Sequence, residues 1–280
     1  MIMESVFPLS PRGPKNAHAD MPVVIFCGGR GTRLKEETTV IPKPLVKIGE
    51  HPILWHIMKS YHAQGFRKFV LLVGYLGEKI KEYFYTYPIH HGSFTIRPGG
   101  NGPVINYHQI PVEDWEVTVL DTGIDAETGA RLVRAKPYLE QGRFLLTYGD
   151  GVADVNLEEL LRFHDTHRPV VTITGVHPPS RFGVLEVEGP RAKTFFEKPT
   201  SQSSYINGGF FVVEPSIFTF LSDDPKLNFE KDILRRLARE SGLAVYPHHG
   251  YWQCMDTIRD VEFLNEEWAK GKAPWKVWDE

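Results

Sequence analysis

The stretch Val23-Val24-Ile25-Phe26-Cys27-Gly28-Gly29-Arg30-Gly31-Thr32-Arg33, with Lys43 in Pro42-Lys43-Pro44 ten residues after Arg33, decides how this chain is read. Val23 to Phe26 is a short apolar run of the kind that forms a buried strand. The glycines behind it let the backbone approach a phosphate closely, and consecutive N–H groups in such a turn make an anion-binding concavity. Arg33 and Lys43 add fixed positive charge. In an open α/β sheet, ligands sit at the carboxyl ends of the strands, which is where this loop falls.

Three glycine-loop signatures compete for the stretch. A P-loop requires G-x-x-x-x-G-K-[ST], and no such run exists here. A dinucleotide fold requires G-x-G-x-x-G; Gly29-Arg30-Gly31-Thr32-Arg33-Leu34 lacks the third glycine, against which the helix must pack. What remains is G-G-x-G-T-R-L with a downstream P-K-P. For the glycines alone the plain alternative is a tight turn after an edge strand. Thr32-Arg33 and Pro42-Lys43-Pro44 speak against it.

Outward from this loop, strands and helices alternate. Pro52 opens a helix through Ile53, Leu54, Ile57, Met58 and Tyr61, which share one apolar stripe, and Gly65 ends it. Phe69 to Val73 is a nearly continuous apolar strand. Glu78 to Tyr87 is an amphipathic helix that Pro88 stops. The βαβα order predicts α/β architecture: a Rossmann-like mixed, mostly parallel central sheet flanked by helices. Further on come two strands around Pro111 within Asn106 to Asp121, a strand Phe144 to Tyr148, a helix Leu157 to His167 and a strand Val170 to Val176. Val184–Val187 and Lys193–Phe196 form a hairpin, the small β-rich appendage. Phe210 to Val213 is a strand, Phe229 to Glu240 a helix, Leu243 to Tyr246 a strand and Val261 to Lys270 a helix. Residues 1–20 carry prolines at 8, 11 and 14 and no apolar h-region, so they read as a flexible tail and not a secretory signal. Residues 21–280 read as one domain.

Composition narrows the function. At 280 residues, 41% hydrophobic and 24% charged, the chain is an ordinary globular one. Its net charge of −3 gives no basic footprint for nucleic acid. No apolar run reaches the ~18 residues of a membrane span. Two cysteines, Cys27 and Cys254, make no disulfide framework and suit a reducing cytoplasm. A redox pair between them is conceivable; a small buried thiol is the commoner case.

Two acids stand out. Asp150 lies between glycines in Thr147-Tyr148-Gly149-Asp150-Gly151, just past an apolar strand. There it either binds Mg²⁺, which takes one or two carboxylates plus phosphate oxygens, or makes an Asp-Gly turn. Asp256 lies in apolar and aromatic surroundings, Trp252-Gln253-Cys254-Met255-Asp256-Thr257. A buried acid there must be paired, coordinated or protonated. Sharing a metal with Asp150 satisfies it; so does N-capping the following helix, and the two are compatible. Glu197-Lys198-Pro199 and Asn207-Gly208-Gly209 supply an acid, a cation and an amide suited to a sugar phosphate, or else merely a charged loop. The histidines lack the spacing of a zinc site. No serine or cysteine has the context of a nucleophile elbow.

The assembled set of Gly28-Gly29-Arg30-Gly31-Thr32-Arg33, Pro42-Lys43-Pro44, Tyr148-Gly149-Asp150-Gly151, Glu197-Lys198-Pro199, Asn207-Gly208-Gly209-Phe210 and Met255-Asp256-Thr257 resembles the sugar nucleotidyltransferase family from about Met21 onward. Lys35-Glu36-Glu37-Thr38 stands where thymidylyl and uridylyl relatives usually carry a proline. Asp121-Thr122-Gly123, Thr128-Gly129-Ala130-Arg131 and Gly271-Lys272-Ala273-Pro274-Trp275-Lys276 are similar to the cytidylyl branch. Arg181-Phe182-Gly183, typical of the family, is intact. Cys27, Ala130 and Ile41 depart from residues frequent there (alanine, glycine and lysine), and Ile41 bears on phosphate affinity.

The resemblance implies transfer of CMP from CTP to α-D-glucose 1-phosphate with Mg²⁺, giving CDP-glucose and pyrophosphate, by a homo-oligomer. It places Phe26, Cys27, Gly28 to Arg33, Lys43, Thr128, Arg131 and Gly149 around the nucleotide. Arg33 would hold the pyrophosphate end and Lys43 the reacting phosphates, the two catalytic assignments. Thr128 and Arg131 would contact CTP specifically. Tyr148, Gly183, Glu197, Lys198 and Asn207 would take the sugar phosphate, with Lys198 on its phosphate. Asp150 and Asp256 would fix Mg²⁺. The alternatives are UTP or dTTP as donor, another acceptor phosphate, or a non-catalytic nucleotide-sugar-binding protein on the same fold.

Overall fold

The computed structural model describes residues 18–34, 38–99, 104–109, 113–177, 184–188, 190–196 and 204–278. Its centre is a sheet that starts with β1 (Pro22–Cys27), the apolar run read above. The chain leaves β1 through the glycine loop and forms α1 (Ile53–Ala63), β2 (Lys68–Val73), α2 (Gly77–His91) and β3 (Glu116–Asp121). It returns through α3 (Thr128–Arg134), β4 (Phe144–Tyr148), α4 (Leu157–His167) and β5 (Val171–Val176). The last members are β6 (Ile206–Asn207), β7 (Phe211–Val213), β8 (Leu243–His248) and a closing helix, α5 (Ile258–Ala269).

Strand order is β6-β5-β7-β4-β1-β2-β3, with β8 beside β5. The β4, β1, β2 and β3 ladders are parallel, as is β5 with β8. β7 enters antiparallel between β4 and β5. The sheet is therefore mixed with a parallel centre, as the βαβα order predicts. β6 and β7 both run antiparallel to β5 and are broken at Gly208-Gly209-Phe210. Gly209 and Phe210 adopt positive φ there, at +77° and +45°.

Alternation along β1 divides the core. Val23, Ile25 and Cys27 face one cluster, with Ile53, Leu54, Ile57, Met58 and Tyr61 of α1, Leu157, Leu160 and Leu161 of α4, and Trp275. Val24 and Phe26 face the other, with Leu132, Phe229, Ile233 and Leu237. Both faces are covered, which is why β1 and β2 read as unbroken apolar runs. Each large side chain so buried contributes about 1.5–3 kcal/mol.

The structure departs from the sequence reading in several places, among them helix α3, which the sequence reading did not contain. α2 continues through Pro88 to His91 instead of stopping at Tyr87. The His91 ring stacks on Tyr87 with centroids 4.0 Å apart, and its Nδ1 lies 2.9 Å from the Tyr87 carbonyl; these contacts hold the turn past the proline. Val104–Gln109 pairs with a strand the sequence did not reveal, Ser93–Arg97, in a separate hairpin. Phe229–Leu234 is wound as a π-helix before the α-helical turn Arg235–Arg239. α5 starts at Ile258, three residues early, because Thr257 and Asp260 cap it. The Val184–Glu188 and Arg191–Phe196 hairpin forms as expected. Pro111 lies outside the described residues. His18 stacks on Phe66 with centroids 5.3 Å apart and contacts Glu158 at 2.8 Å. Residues 1–17 are outside the description. Among the described residues no helix is long and apolar enough to cross a membrane.

Candidate active site

Parallel pairing of β1 with β4 sets Phe26 opposite Tyr148, so the glycine loop and the Gly149-Asp150-Gly151 turn leave the sheet side by side. The Gly149 N–H donates to the Phe26 carbonyl at 3.1 Å. A Cβ at Gly149 would lie 2.9 Å from that oxygen, so the close approach requires glycine. Gly31 has φ +60° and begins the 3₁₀ turn Thr32–Leu34. Buried Thr38 holds that turn, its hydroxyl donating to the Leu34 carbonyl at 2.8 Å and lying 3.1 Å from that of Gly31. The loop's curvature is thus fixed from below, leaving Gly29 facing open space.

The two acids meet through a ladder only three residues long. Gly151–Ala153 pairs antiparallel with Trp252–Cys254, and the Met255 N–H donates to the Asp150 carbonyl at 2.8 Å. This brings Asp150 and Asp256 to a single ammonium group. Lys43 Nζ donates to Asp150 Oδ2 at 2.6 Å and to Asp256 Oδ1 at 2.7 Å. Burial lowers the Lys43 pKa, but the two carboxylates more than offset it and raise it overall, so the lysine stays charged. Asp256 is not the helix cap. Thr257 takes that position, and the Asp260 carboxylate accepts from the Asp256 and Thr257 N–H groups. The cap therefore orients Asp256 without using its carboxylate.

A second polar chain runs along the other wall. Thr128 donates to Glu230 Oε2 at 2.7 Å, and the Tyr148 hydroxyl donates to Glu230 Oε1 at 2.7 Å. Asn207 Nδ2 donates to the Tyr148 hydroxyl at 2.8 Å, while its Oδ1 accepts from the Gly209 N–H at the break between β6 and β7. Burial, then the facing Glu230 charge, push the Tyr148 pKa up, so the phenol stays protonated.

One cleft of about 490 Å³ is lined by Phe26, Cys27, Gly28 to Thr32, Lys43, Thr128, Arg131, Tyr148, Gly149, Asp150 and Asp256, with Glu230 behind Thr128 and Tyr148. Asn207 joins it through Tyr148. Arg30 reaches across the mouth to Asp125 at 2.8 Å. Arg131 is buried in the floor, with Nη1 on the Val73 and Gly123 carbonyls and the Thr122 hydroxyl, and Nη2 on the Gly28 carbonyl. Its guanidinium lies where a Cβ on Gly28 would go. Arg131 thus braces the loop against β2, a structural duty the sequence did not indicate. The Arg33 side chain is not described. Gly183, Glu197 and Lys198 lie outside the described residues.

Neither thiol is held as a thiolate. Burial, then Asp150, push the Cys27 pKa up; burial, then Asp256, push that of Cys254 up to about 12. Sequence reasoning missed Glu230, Thr38 and Asp125. Glu230 in Phe229-Glu230-Lys231-Asp232 looks like ordinary helix surface, and nothing local marks it.

Comparison with known proteins agrees with this geometry. Residues 22–266 match the nucleotidyl transferase family. A probable glucose-1-phosphate cytidylyltransferase of Bacillus subtilis is 48% identical over 92% of this chain and 100% of its own length. A glucose-1-phosphate cytidylyltransferase of Salmonella typhi is 45% identical with the same coverage. Among solved structures, HddC from Yersinia pseudotuberculosis shares the fold with a TM-score of 0.63 at 21% identity, over 89% of this chain and 99% of that one. The loop, the paired acids and these relatives converge on one assignment: the chain belongs to the nucleotidyl transferase family.

Proposed function

We propose that this protein transfers CMP from CTP to α-D-glucose 1-phosphate, releasing pyrophosphate and forming CDP-glucose. The observation that carries the reading is Lys43 Nζ held between Asp150 and Asp256 beside an open glycine loop, all in one cleft. The two relatives named for this activity, matched over their full length, give the reading its nucleotide and sugar.

The chemistry joins two anions. A phosphate oxygen of glucose 1-phosphate attacks the α-phosphorus of CTP in line with the departing pyrophosphate. That oxygen is already ionised at neutral pH, so no strong base is needed. Catalysis rests on holding the reactants together and stabilising charge as it shifts. The amides of Gly28 to Thr32 cradle the triphosphate, and the charged Lys43 faces the reacting phosphates. Arg33 is assigned to the pyrophosphate end. Thr128 and Arg131 contribute to the cytidine side, Arg131 by bracing Gly28. Tyr148 and Asn207 are assigned to the sugar, with Gly183, Glu197 and Lys198 completing that subsite. The in-line attack is a single displacement that asks for no nucleophile from the protein.

Asp150 and Asp256 form a hard-oxygen pair that converges on one cation, Lys43 Nζ, which suits Mg²⁺. When bound there, Mg²⁺ would neutralise nucleotide oxygens. We extend the reading to a homo-oligomer in the cytoplasm, which sedimentation and fractionation check.

The test supplies CTP, UTP, dTTP or GTP with glucose 1-phosphate and follows pyrophosphate release. CTP supports turnover and the product is CDP-glucose. Preference for another nucleotide reassigns the donor. Tight CDP-glucose binding without turnover makes the protein a binder.

A further inference from the structure

We propose that Glu230 is a positioning residue that ties the nucleotide side of the cleft to the sugar side. The proposal rests on the function proposed above, because that reading names the two sides. Each Glu230 oxygen accepts one hydroxyl: Oε2 from Thr128 at 2.7 Å and Oε1 from Tyr148 at 2.7 Å. Among the described residues neither acceptor is shared, and both donors have fixed direction. The Thr128 oxygen also accepts from the Phe229 N–H at 3.0 Å, so its proton points to Glu230. The Tyr148 oxygen accepts from Asn207, whose amide is set by the Gly209 N–H. A carboxylate, with two acceptor oxygens, closes both ends of this chain as the donors are arranged.

The backbone around Glu230 is built for that purpose. Phe229–Leu234 is a π-helix, a rare geometry that is frequent at functional sites. Phe229 and Ile233 are buried in the core, anchoring the turn, while the Ala130 N–H of α3 donates to the Leu227 carbonyl at 3.2 Å. Asn228 caps the turn, accepting from the Lys231 N–H at 2.8 Å, and donates to Glu127 at 3.0 Å. The carboxylate is thereby fixed relative to α3, which carries Thr128. A hydrogen bond to a charged acceptor is among the stronger ones in a protein, so loss of one arm displaces the hydroxyl that used it.

The experiment measures kcat, KM for CTP and KM for glucose 1-phosphate in the intact protein, Glu230→Gln, Tyr148→Phe and the double variant. Glutamine has the same shape but offers one acceptor and a donor, so it cannot take both hydroxyls. Glu230→Gln is expected to raise KM for both substrates, lowering each kcat/KM about tenfold or more, with little change in melting temperature. Tyr148→Phe is expected to raise KM for glucose 1-phosphate alone. In the Tyr148→Phe background, Glu230→Gln should no longer change KM for glucose 1-phosphate but should still raise that for CTP. A purely structural Glu230 instead lowers the melting temperature and moves kcat without this split. Additive effects on glucose 1-phosphate, or an unchanged KM for CTP, overturn the proposal while leaving the function reading standing. An intact protein that makes no CDP-glucose overturns both.

Discussion

Replacing Lys43 with alanine tests the centre of the site in two ways. The ammonium lies 2.6 Å from Asp150 Oδ2 and 2.7 Å from Asp256 Oδ1, and the cleft offers no other cation at that point among the described residues. Its loss removes a fixed positive charge from two reacting anions. Losing one such electrostatic contact costs about 3 kcal/mol of transition-state stabilisation, or roughly 10²-fold in kcat. The two carboxylates left facing each other also repel. A fully buried broken pair costs about 3–5 kcal/mol, but here Asp150 is 32% exposed and Asp256 20%, so solvent screens them. About 1–2 kcal/mol remains, a fall of roughly 2–6 °C in melting temperature for a chain of this size. The assay is initial-rate pyrophosphate release, paired with thermal unfolding with and without Mg²⁺. Added Mg²⁺ should raise the melting temperature of Lys43→Ala more than that of the unmodified protein, because no ammonium competes for the acids. Near-full kcat in the variant, or equal Mg²⁺ effects in both proteins, would refute the reasoning.

Three more outcomes follow from the geometry. Asp150→Asn should lower kcat about 10²-fold and shift the Mg²⁺ titration to higher concentration, since one hard-oxygen ligand is neutralised; an unchanged titration removes Asp150 from the metal pair. Gly149→Ala should abolish activity, because its methyl would lie 2.9 Å from the Phe26 carbonyl and prise apart the ends of β1 and β4; a fully active variant contradicts that close approach. His56 gives a pH dependence. Burial is the main cause lowering its pKa to about 4, with the Ile48 carbonyl pulling the other way, and Trp275 Nε1 donates to its Nδ1 at 3.4 Å. The unfolded chain titrates near 6.5 and so binds more protons between pH 6.5 and 4. Stability should therefore fall as pH drops through that window, by about 2 kcal/mol at pH 5. His56→Gln should flatten the melting-temperature profile there; an unchanged acid slope assigns it to other groups.

Much of this was legible in the sequence because it is local. β1, the glycine turn and Lys43 lie within about twenty residues, and their chemistry needs only neighbouring backbone. The parallel centre followed from the βαβα order. What escaped depends on long-range pairing. Asp150 and Asp256 were expected together on one metal, but the three-residue ladder between distant segments that joins them is too short to carry a strand signature of its own. Asp256 looks like a helix cap until Thr257 and Asp260 are seen to form the cap together. Pro88 failed as a stop because ring contacts, which sequence does not display, hold the next turn. Glu230 was invisible because its role comes from a π-turn inside what reads as an ordinary amphipathic helix.

The most direct measurement is a crystal structure of the protein with CDP-glucose and Mg²⁺. The account predicts the diphosphate within hydrogen-bonding distance of the Gly28 to Thr32 amides and of Lys43, the metal on Asp150 and Asp256, and the glucose on the Tyr148 and Asn207 side. A product seated in any other cavity, or a diphosphate that touches neither the glycine loop nor Lys43, would contradict it.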